Sequence, residues 1–188
     1  MTQQQPYEVL ARYPEFEVRR YPVHVLAEVD VRAPFEEAGS AAFAMLFGYI
    51  TGRNESRQSI AMTAPVVQGP APGERIAMTA PVVQSKGPTG LQTVAFVLPA
   101  EMTVQAAPTP TDPRVRLRAV PEGRAAASRY SGRWSESSYE RHCAELLRAV
   151  GTRGYRPVGP PRFARFDPPF KPWFLRRNEV VVDLDEIP

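Results

Sequence analysis

Proline occupies 21 of the 188 positions in this sequence, about twice its average usage in proteins. Each proline inside a helix removes a backbone hydrogen bond and clashes with the preceding turn, so this content disfavours a helical bundle. It favours a fold of short strands joined by many turns. The 12 glycines follow no three-residue period, which excludes a collagen-like chain.

The nine-residue string IAMTAPVVQ occurs twice, at residues 60–68 and again at residues 76–84. Two copies of such a short period are too few for a solenoid. The glycine- and proline-rich segment between them predicts a turn, so we expect two extended segments joined by a loop. Pro65 and Pro81 cannot donate a ladder hydrogen bond, which places them at strand ends, edges or bulges.

Hydrophobic alternation and capping residues predict the same order of elements in both halves of the chain. In the first half, Pro34 suits the start of a helix and Gly52 its stop. In the second half, Ser137 and Glu140 form a capping box, and Gly151 suits the C-terminal cap. The predicted helices span residues 34–50 and 137–150, and the predicted strands span residues 7–13, 16–31, 60–67, 76–83, 93–98, 115–120, 124–130, 162–166 and 179–184.

This order predicts one α+β domain that spans residues 1–188. We expect a distorted, mostly antiparallel β-barrel with two flanking helices. It is built from two pseudo-repeated halves, about residues 7–99 and 114–185, each in the order strand, strand, helix, strand, strand. The proline cluster at residues 108–113 forms the seam and is too short to be a flexible tether.

Composition and charge limit the classes of protein to which this chain can belong. The lone cysteine, Cys143, cannot form an internal disulfide, and no stretch approaches the 18 apolar residues of a membrane span. We therefore expect a cytoplasmic protein that does not bind membranes, with its oligomeric state left open. Arg114, Arg116 and Arg118 alternate along a predicted strand, but no nucleic-acid-binding motif accompanies them. A solvated sheet face is the simpler interpretation, and we expect no nucleic-acid partner.

Catalytic and zinc chemistry have few candidate residues. Two histidines and one cysteine are too few for a zinc site of three or four such ligands. His142 precedes Cys143 on a predicted helix, where neighbours point about 100° apart, so adjacency makes no dyad. Glu36 and Glu37 can act as acids or bases, but glutamates at a helix start usually serve the helix dipole. We expect a protein that is not an enzyme.

The first predicted helix carries a candidate ligand surface. Phe43, Phe47 and Ile50 form an apolar stripe beside another that includes Met45. The C-terminal part of this helix is therefore apolar nearly all round, which is typical of a helix covered on more than one side. A flat hydrophobic ligand is one interpretation of this surface, and a core face combined with a dimer contact or a loop lid is the other.

Haem requires only one or two axial ligands, which His, Met, Cys or Tyr can provide. His24 lies out of phase with the apolar residues of its predicted strand, while Met62 and Met78 occupy the same place in the two repeat copies. His24 and Met62 are thus candidate haem contacts. A structural histidine and simple core or edge packing are the alternatives.

Residues 165–180, RFDPPFKPWFLRRNEV, place four aromatic residues among three prolines. Arg176 and Arg177 follow the aromatic residues and can pair with carboxylates. Such a rigid loop can hold an apolar ligand with acidic tails, or it can be a structural clasp. The strand predicted directly after it favours the clasp.

Three strings together resemble the SOUL haem-binding protein family: YEVLARYPEFEVRRYP near the start, IAMTAPV, and the terminal RFDPPFKPWFLRRNEV. The resemblance covers about residues 7–185. It implies a distorted β-barrel of two similar halves with two helices. It also implies reversible, non-covalent binding of b-type haem or a related tetrapyrrole, without catalysis.

The resemblance also bears on single residues. The family's proposed axial histidine falls at Arg20, which cannot ligate iron, and two proposed propionate contacts fall at about Ser40 and Gly48, which are not basic. His24 becomes the nearest candidate for an axial iron ligand, because it lies four residues after Arg20. We expect haem to lie on the first helix, with arginines meeting its propionates and the contacts provided by Phe43, Met45, Phe47 and Ile50.

The family is similar in fold to the effector-binding domains of multidrug-responsive regulators. This likeness supplies the alternative function, an effector-sensing or interaction module. Such a module would bind other planar apolar or cationic ligands, or a protein partner.

Overall fold

The computed structural model describes residues 3–56, 73–87 and 90–185. More of these residues lie in short strands than in helices, as the proline content predicts. The two helices are α1 (Phe35–Ile50) and α2 (Glu136–Thr152), and a 3₁₀ turn spans Trp173–Leu175. The strands are β1 (Gln3–Gln4), β2 (Glu8–Arg12), β3 (Glu17–Tyr21), β4 (His24–Val31), β5 (Asn54–Glu55), β6 (Thr79–Lys86), β7 (Gln92–Val97), β8 (Thr109–Pro110), β9 (Arg116–Val120), β10 (Gly123–Tyr130), β11 (Pro157–Arg165) and β12 (Asn178–Leu184).

Ten strands form one sheet, in the order β2-β3-β10-β12-β11-β6-β7-β4-β9, with β1 added in parallel to β6. All the other pairs in this sheet are antiparallel. The predicted α+β class and antiparallel sheet are therefore confirmed. Within the described residues the edge strands β2 and β9 do not pair, so the sheet is not closed into the predicted barrel.

The two halves of the chain order their strands alike. The first half runs β4-β7-β6 across the sheet and the second runs β10-β12-β11. Strands β6 and β11 meet at the centre, whereas β3 and β9 each cross over to pair with the other half. That the two halves are pseudo-repeats, and that this explains their shared strand order, stays a prediction.

Both helices cover the same face of the sheet. Gln84 and Lys86 are two residues apart on β6, so their side chains share a face. Gln84 Nε2 donates to the Phe35 carbonyl at the start of α1, at 3.0 Å. Lys86 Nζ lies 2.8 Å from Glu136 Oε1 at the start of α2. The two helices therefore lie on one face of the sheet, α1 over β4 and β7 and α2 over β10, β11 and β12.

The core lies between these helices and the sheet. Helix α1 buries one stripe over β4 and β7, and α2 buries a narrower stripe over the second half of the sheet. The spacing of these residues at three and four positions is that of an amphipathic helix. The buried residues are Phe35, Ala38, Ala42, Leu46, Gly48, Tyr49 and Ile50 on α1, and Tyr139, Leu146 and Val150 on α2.

The start and end of α2 differ from the prediction. Ser135, not Ser137, caps this helix, because the Ser135 hydroxyl accepts a hydrogen bond from the Ser138 amide. The predicted capping box was therefore wrong. The helix also passes Gly151 and ends at Thr152, and the following turn uses Gly154, whose φ is +82°. The prediction for α1 was one residue early, because Pro34 precedes the first helical residue.

Only the second copy of the repeated string falls in the described part of the chain. It enters β6, where the register against β7 shifts between Thr79 and Val82, the irregularity expected beside Pro81. The first copy, with Met62 and Pro65, lies outside the described residues. The predicted pairing of the two copies therefore remains a prediction.

A buried ion pair ties the amino-terminal strands to the end of the chain. Arg19 on β3 and Glu179 on β12 are both almost fully buried, and two hydrogen bonds of 2.7 and 3.2 Å join them. Arg177 adds a second guanidinium, 2.7 Å from the same carboxylate. Removing Arg19 takes away the donor to Glu179 Oε2 and leaves this buried carboxylate paired with Arg177 alone among the described residues, which is destabilising.

We predict that Arg19→Met lowers the free energy of unfolding by about 3 kcal/mol, the cost of breaking a buried pair. Urea unfolding followed by circular dichroism measures this loss. Arg20→Met is the matched control, because Arg20 is half exposed and its carboxylate partner, Glu8, lies 3.6 Å away at the surface. We expect a change below about 0.5 kcal/mol in the control. Equal losses in the two variants would contradict the prediction.

Candidate functional site

The solvent side of α1 is a flat surface of small and aromatic side chains. We call Ser40, Phe43, Ala44 and Phe47 the α1 platform. Phe43 and Phe47 are one helical turn apart, each is 43% exposed, and their rings stack at 5.2 Å with 14° between planes. Phe43 also meets the edge of Phe96 on β7, at 5.9 Å. The platform is therefore a supported but uncovered aromatic surface in the described structure.

Arg165 lies against one flank of α1. Its guanidinium Nη2 donates to Gln84 Oε1, and its Nη1 packs so closely on Gly39 that a Cβ at that position would clash with it. The guanidinium also lies over the ring of Trp134, at 4.8 Å from its centroid. Gly39 is one turn before Phe43, so this charge sits beside the amino-terminal end of the platform.

Burial perturbs Arg165 strongly. It is 7% exposed, and its Nε has no hydrogen-bond partner among the described residues. Burial lowers its pKa to about 10, although Tyr130 and Glu36 act in the opposite direction. At neutral pH the group remains a cation, and no carboxylate of the described residues lies within ion-pair distance. It places one positive charge beside the first turn of α1, which itself carries Glu36 and Glu37.

The other flank of α1 borders a small cleft of about 150 Å³. Met45 and Tyr49 form its apolar side, and Arg53 and Arg114 stand at its rim. The Arg114 guanidinium and amide hydrogen-bond Asp112, which lowers the pKa of that carboxyl to about 2. The cleft is smaller than the ~300 Å³ at which ligand pockets usually begin, so it cannot enclose a large planar ligand.

Arg53 occupies the space beside a glycine of α1. A Cβ at Gly48 would lie 3.0 Å from Arg53 Cδ, so the arginine stem lies across the helix at this point. The Arg53 amide donates to the Gly48 carbonyl at 2.8 Å, and the Thr111 hydroxyl donates to the Arg53 carbonyl at 2.9 Å. These bonds hold an exposed guanidinium at the carboxyl-terminal end of the platform.

The structure separates His24 from the platform. His24 alternates along β4 with Val25, Ala27 and Val29, which pack under α1, so its ring faces the opposite side of the sheet. Its Nδ1 lies 2.8 Å from the Pro22 carbonyl oxygen. Burial is the main reason that its pKa lies below the usual value, and the Pro22 carbonyl opposes this shift.

The other predicted site residues are dispersed. Phe43 and Phe47 share the platform, Met45 lies on the opposite flank of the helix, and Ile50 is buried in the core. Met62 lies outside the described residues. The structure thus brings together two of the six predicted contacts.

His142 and Cys143 have structural surroundings. The His142 ring stacks on Tyr130 at 3.9 Å, and its Nδ1 lies 2.9 Å from Glu145 Oε2. Cys143 is half buried, and burial raises the pKa of its thiol. A raised thiol pKa disfavours the reactive thiolate. In residues 3–56, 73–87 and 90–185, no three His, Cys, Asp or Glu side chains are grouped as a metal site.

Sequence analysis missed Arg53 and Arg165, the two cations that flank the platform. The only signal for them lies in Gly39 and Gly48, two glycines inside a helix, where glycine is destabilising unless something must approach closely. Each glycine admits an arginine from another part of the chain. The two arginines lie near Ser40 and Gly48, the two positions where the resemblance placed basic residues.

Comparison with known proteins gives the family. The model of the SOUL heme-binding protein family matches residues 2–183, nearly the whole chain. The chain belongs to the SOUL heme-binding protein family. Heme-binding protein 1 of Xenopus tropicalis is 29% identical over 173 residues, which cover 88% of this chain and 81% of that protein. Heme-binding protein 1 of Xenopus laevis is 27% identical, with the same two coverages.

Solved structures show that the fold is shared more widely than the sequence. The C-terminal domain of EcmrR superposes with a TM-score of 0.63 at 9% identity, covering 96% of this chain and 99% of that domain. A hydrolase from Listeria innocua superposes with a TM-score of 0.57 at 13% identity, covering 94% of each chain. At such low identity these likenesses establish the fold alone. Neither helix of the described structure has the length and apolar run needed to span a bilayer.

We predict that His24 makes this SOUL-family protein less stable as the pH falls. The pKa of His24 in the folded state is below the unfolded value of 6.5, so the unfolded state binds more protons. The loss of folding stability due to His24 is absent well above pH 6.5 and grows as the pH falls below 6.5. Between pH 7.5 and pH 5.5, the free energy of unfolding should decrease by more in the wild type than in His24→Gln. Parallel pH dependences would contradict this prediction.

Proposed function

We propose that the protein binds haem or a related tetrapyrrole reversibly on the α1 platform. The exposed stack of Phe43 and Phe47 is the observation that carries this proposal. An exposed aromatic pair on a helix face has an apolar area that a flat macrocycle can cover. Family membership and the names of the two Xenopus relatives support a haem ligand.

Hydrophobic contact supplies most of the binding free energy in this proposal. A macrocycle on the platform buries several hundred Å² of apolar surface, and each Å² contributes roughly 25 cal/mol. Association costs offset much of this gain, which leaves an affinity on the order of micromolar. Such an affinity suits a carrier or buffer that both takes up and releases its ligand.

The carboxylate tails of the ligand are received by arginine in this proposal. Arg53 is exposed, lies at one end of the platform, and is held there through its backbone. A guanidinium pairs with a carboxylate through two parallel hydrogen bonds. Arg165 at the other end is buried, so it contributes potential more than direct contact.

His24 does not ligate the iron in this proposal, because it faces away from the platform. Attachment is non-covalent, since covalent c-type attachment uses two cysteines and the chain has only Cys143. The bound haem is therefore of b type. We also propose a role without catalysis, because the described residues around the platform offer no nucleophile paired with a base.

The first prediction from this proposal concerns the platform. Phe47→Glu should weaken hemin binding at least about tenfold, because a carboxylate would be covered by the macrocycle. Titration of the Soret band measures the affinity. Val23→Glu is the matched control, since Val23 is 60% exposed and precedes β4, outside the α1 platform. His24→Ala should bind hemin like the wild type. Loss of binding in His24→Ala, or none in Phe47→Glu, would contradict the proposal.

The second prediction concerns the carboxylates. Arg53→Gln should weaken hemin binding about tenfold, which is within the range of a hydrogen bond between charged groups. The same variant should bind hemin dimethyl ester as tightly as the wild type does, because the ester has no anionic tails. Parallel titrations of both ligands test this, with Arg20→Gln as an exposed control on β3. An equal loss for acid and ester would remove Arg53 from carboxylate recognition.

A further inference from the structure

A second exposed apolar surface lies on the loop between β11 and β12, residues 166–177, which we call the aromatic loop. Phe170 is 86% exposed, more than any other exposed large apolar side chain of the described residues. Trp173, Phe174 and Leu175 are each about half exposed. These four large apolar side chains lie within six residues and form an exposed apolar tip.

This exposure is built into the loop. Asp167 accepts hydrogen bonds from the Lys171 ammonium, at 2.7 Å, and from the Arg177 amide. Arg176 donates to the Lys171 carbonyl at 2.8 Å and also to the Pro169 carbonyl. Three prolines restrict the backbone further. The loop is thus braced by its own polar groups, and its apolar groups are left to face outward.

Positive charge surrounds the tip. The aromatic loop, residues 166–177, carries three basic side chains and one acidic one, a net charge of +2. Lys171 pairs with Asp167 and Arg177 with Glu179, whereas no carboxylate of the described residues lies within ion-pair distance of Arg176. The exposed Arg133 adds another cation, with its guanidinium 5.4 Å from the centre of the Trp173 ring.

The sequence-based expectation of no membrane partner rested on the lack of a spanning segment, which does not bear on surface attachment. We propose that the aromatic loop docks the protein reversibly on anionic lipid bilayers. Tryptophan and phenylalanine favour the boundary between lipid headgroups and acyl chains, and neighbouring arginine and lysine favour the negative surface of such a bilayer. An exposed apolar tip inserts into a fluid interface without a preformed pocket, whereas a protein partner would have to supply one. Only a few side chains insert, so the attachment is weak and depends on salt.

Vesicle binding tests this proposal without any haem. The wild type should sediment with phosphatidylcholine vesicles that contain 30% phosphatidylserine, should bind them less at 0.5 M salt, and should bind pure phosphatidylcholine at least about tenfold more weakly. Phe170→Glu and Phe174→Glu should each lower binding about tenfold or more. Val23→Glu, the same change at an exposed site on another part of the surface, should bind like the wild type.

Tryptophan fluorescence provides the positional test. Trp173 is one of two tryptophans, and the other, Trp134, donates a hydrogen bond to Asn178 within the fold. Vesicles should shift the emission to shorter wavelength, and lipids brominated near the headgroup should quench it. Trp173→Phe should lose both signals while still sedimenting with vesicles, because phenylalanine keeps the tip apolar.

Three outcomes would overturn the proposal. They are no sedimentation of the wild type with anionic vesicles, an equal loss in Val23→Glu and Phe170→Glu, and dimerisation that Phe170→Glu abolishes in the absence of lipid. The last outcome would assign the tip to a second copy of the chain. Hemin titration of Phe170→Glu distinguishes this proposal from haem binding on α1, since we expect its hemin affinity to be unchanged.

Discussion

The arrangement of the two halves depends on how Arg165 is buried. This guanidinium belongs to β11, donates to Gln84 on β6, and packs on Gly39 of α1. It also lies over the rings of Trp134 and Phe163. One side chain thus joins the central strand pair to the first helix and to the second half of the core. Taking a guanidinium out of water is costly, so the surrounding aromatic faces and the Gln84 oxygen must hold it closely.

Close packing against glycine also explains the surface of α1. Arg165 and Arg53 approach the helix from outside, at Gly39 and Gly48, so the helix itself carries no basic residue in its last three turns. Its solvent side can then remain small and aromatic while positive charge stands at both ends. If α1 itself supplied these positive charges, charged side chains would have to alternate with apolar ones along its solvent side. That alternation would interrupt the stack of Phe43 and Phe47.

Local patterns predicted the elements of this fold well, because helix spacing and strand alternation are properties of neighbouring residues. Local patterns could not predict the order of the strands in the sheet, because β3 pairs with β10 and β9 pairs with β4, which are far apart in sequence. The same limit explains the site. The alternation on β4 placed His24 opposite Val25 and Ala27, but only the structure shows that α1 covers the valine side. Arg53 and Arg165 were missed because their roles depend on long side chains that cross between elements.

A continuous set of contacts joins the two exposed apolar surfaces. Arg176, which braces the aromatic loop, lies 4.3 Å from the Trp134 ring centre, and Arg165 lies 4.8 Å from the same centre. Arg165 in turn touches Gly39, one turn before Phe43. Haem is amphiphilic, so the two proposals above are physically compatible: a protein that binds haem on the α1 platform would gain from a lipid contact nearby. In that case the bracing of the loop would keep the tip and the α1 platform in a fixed relation.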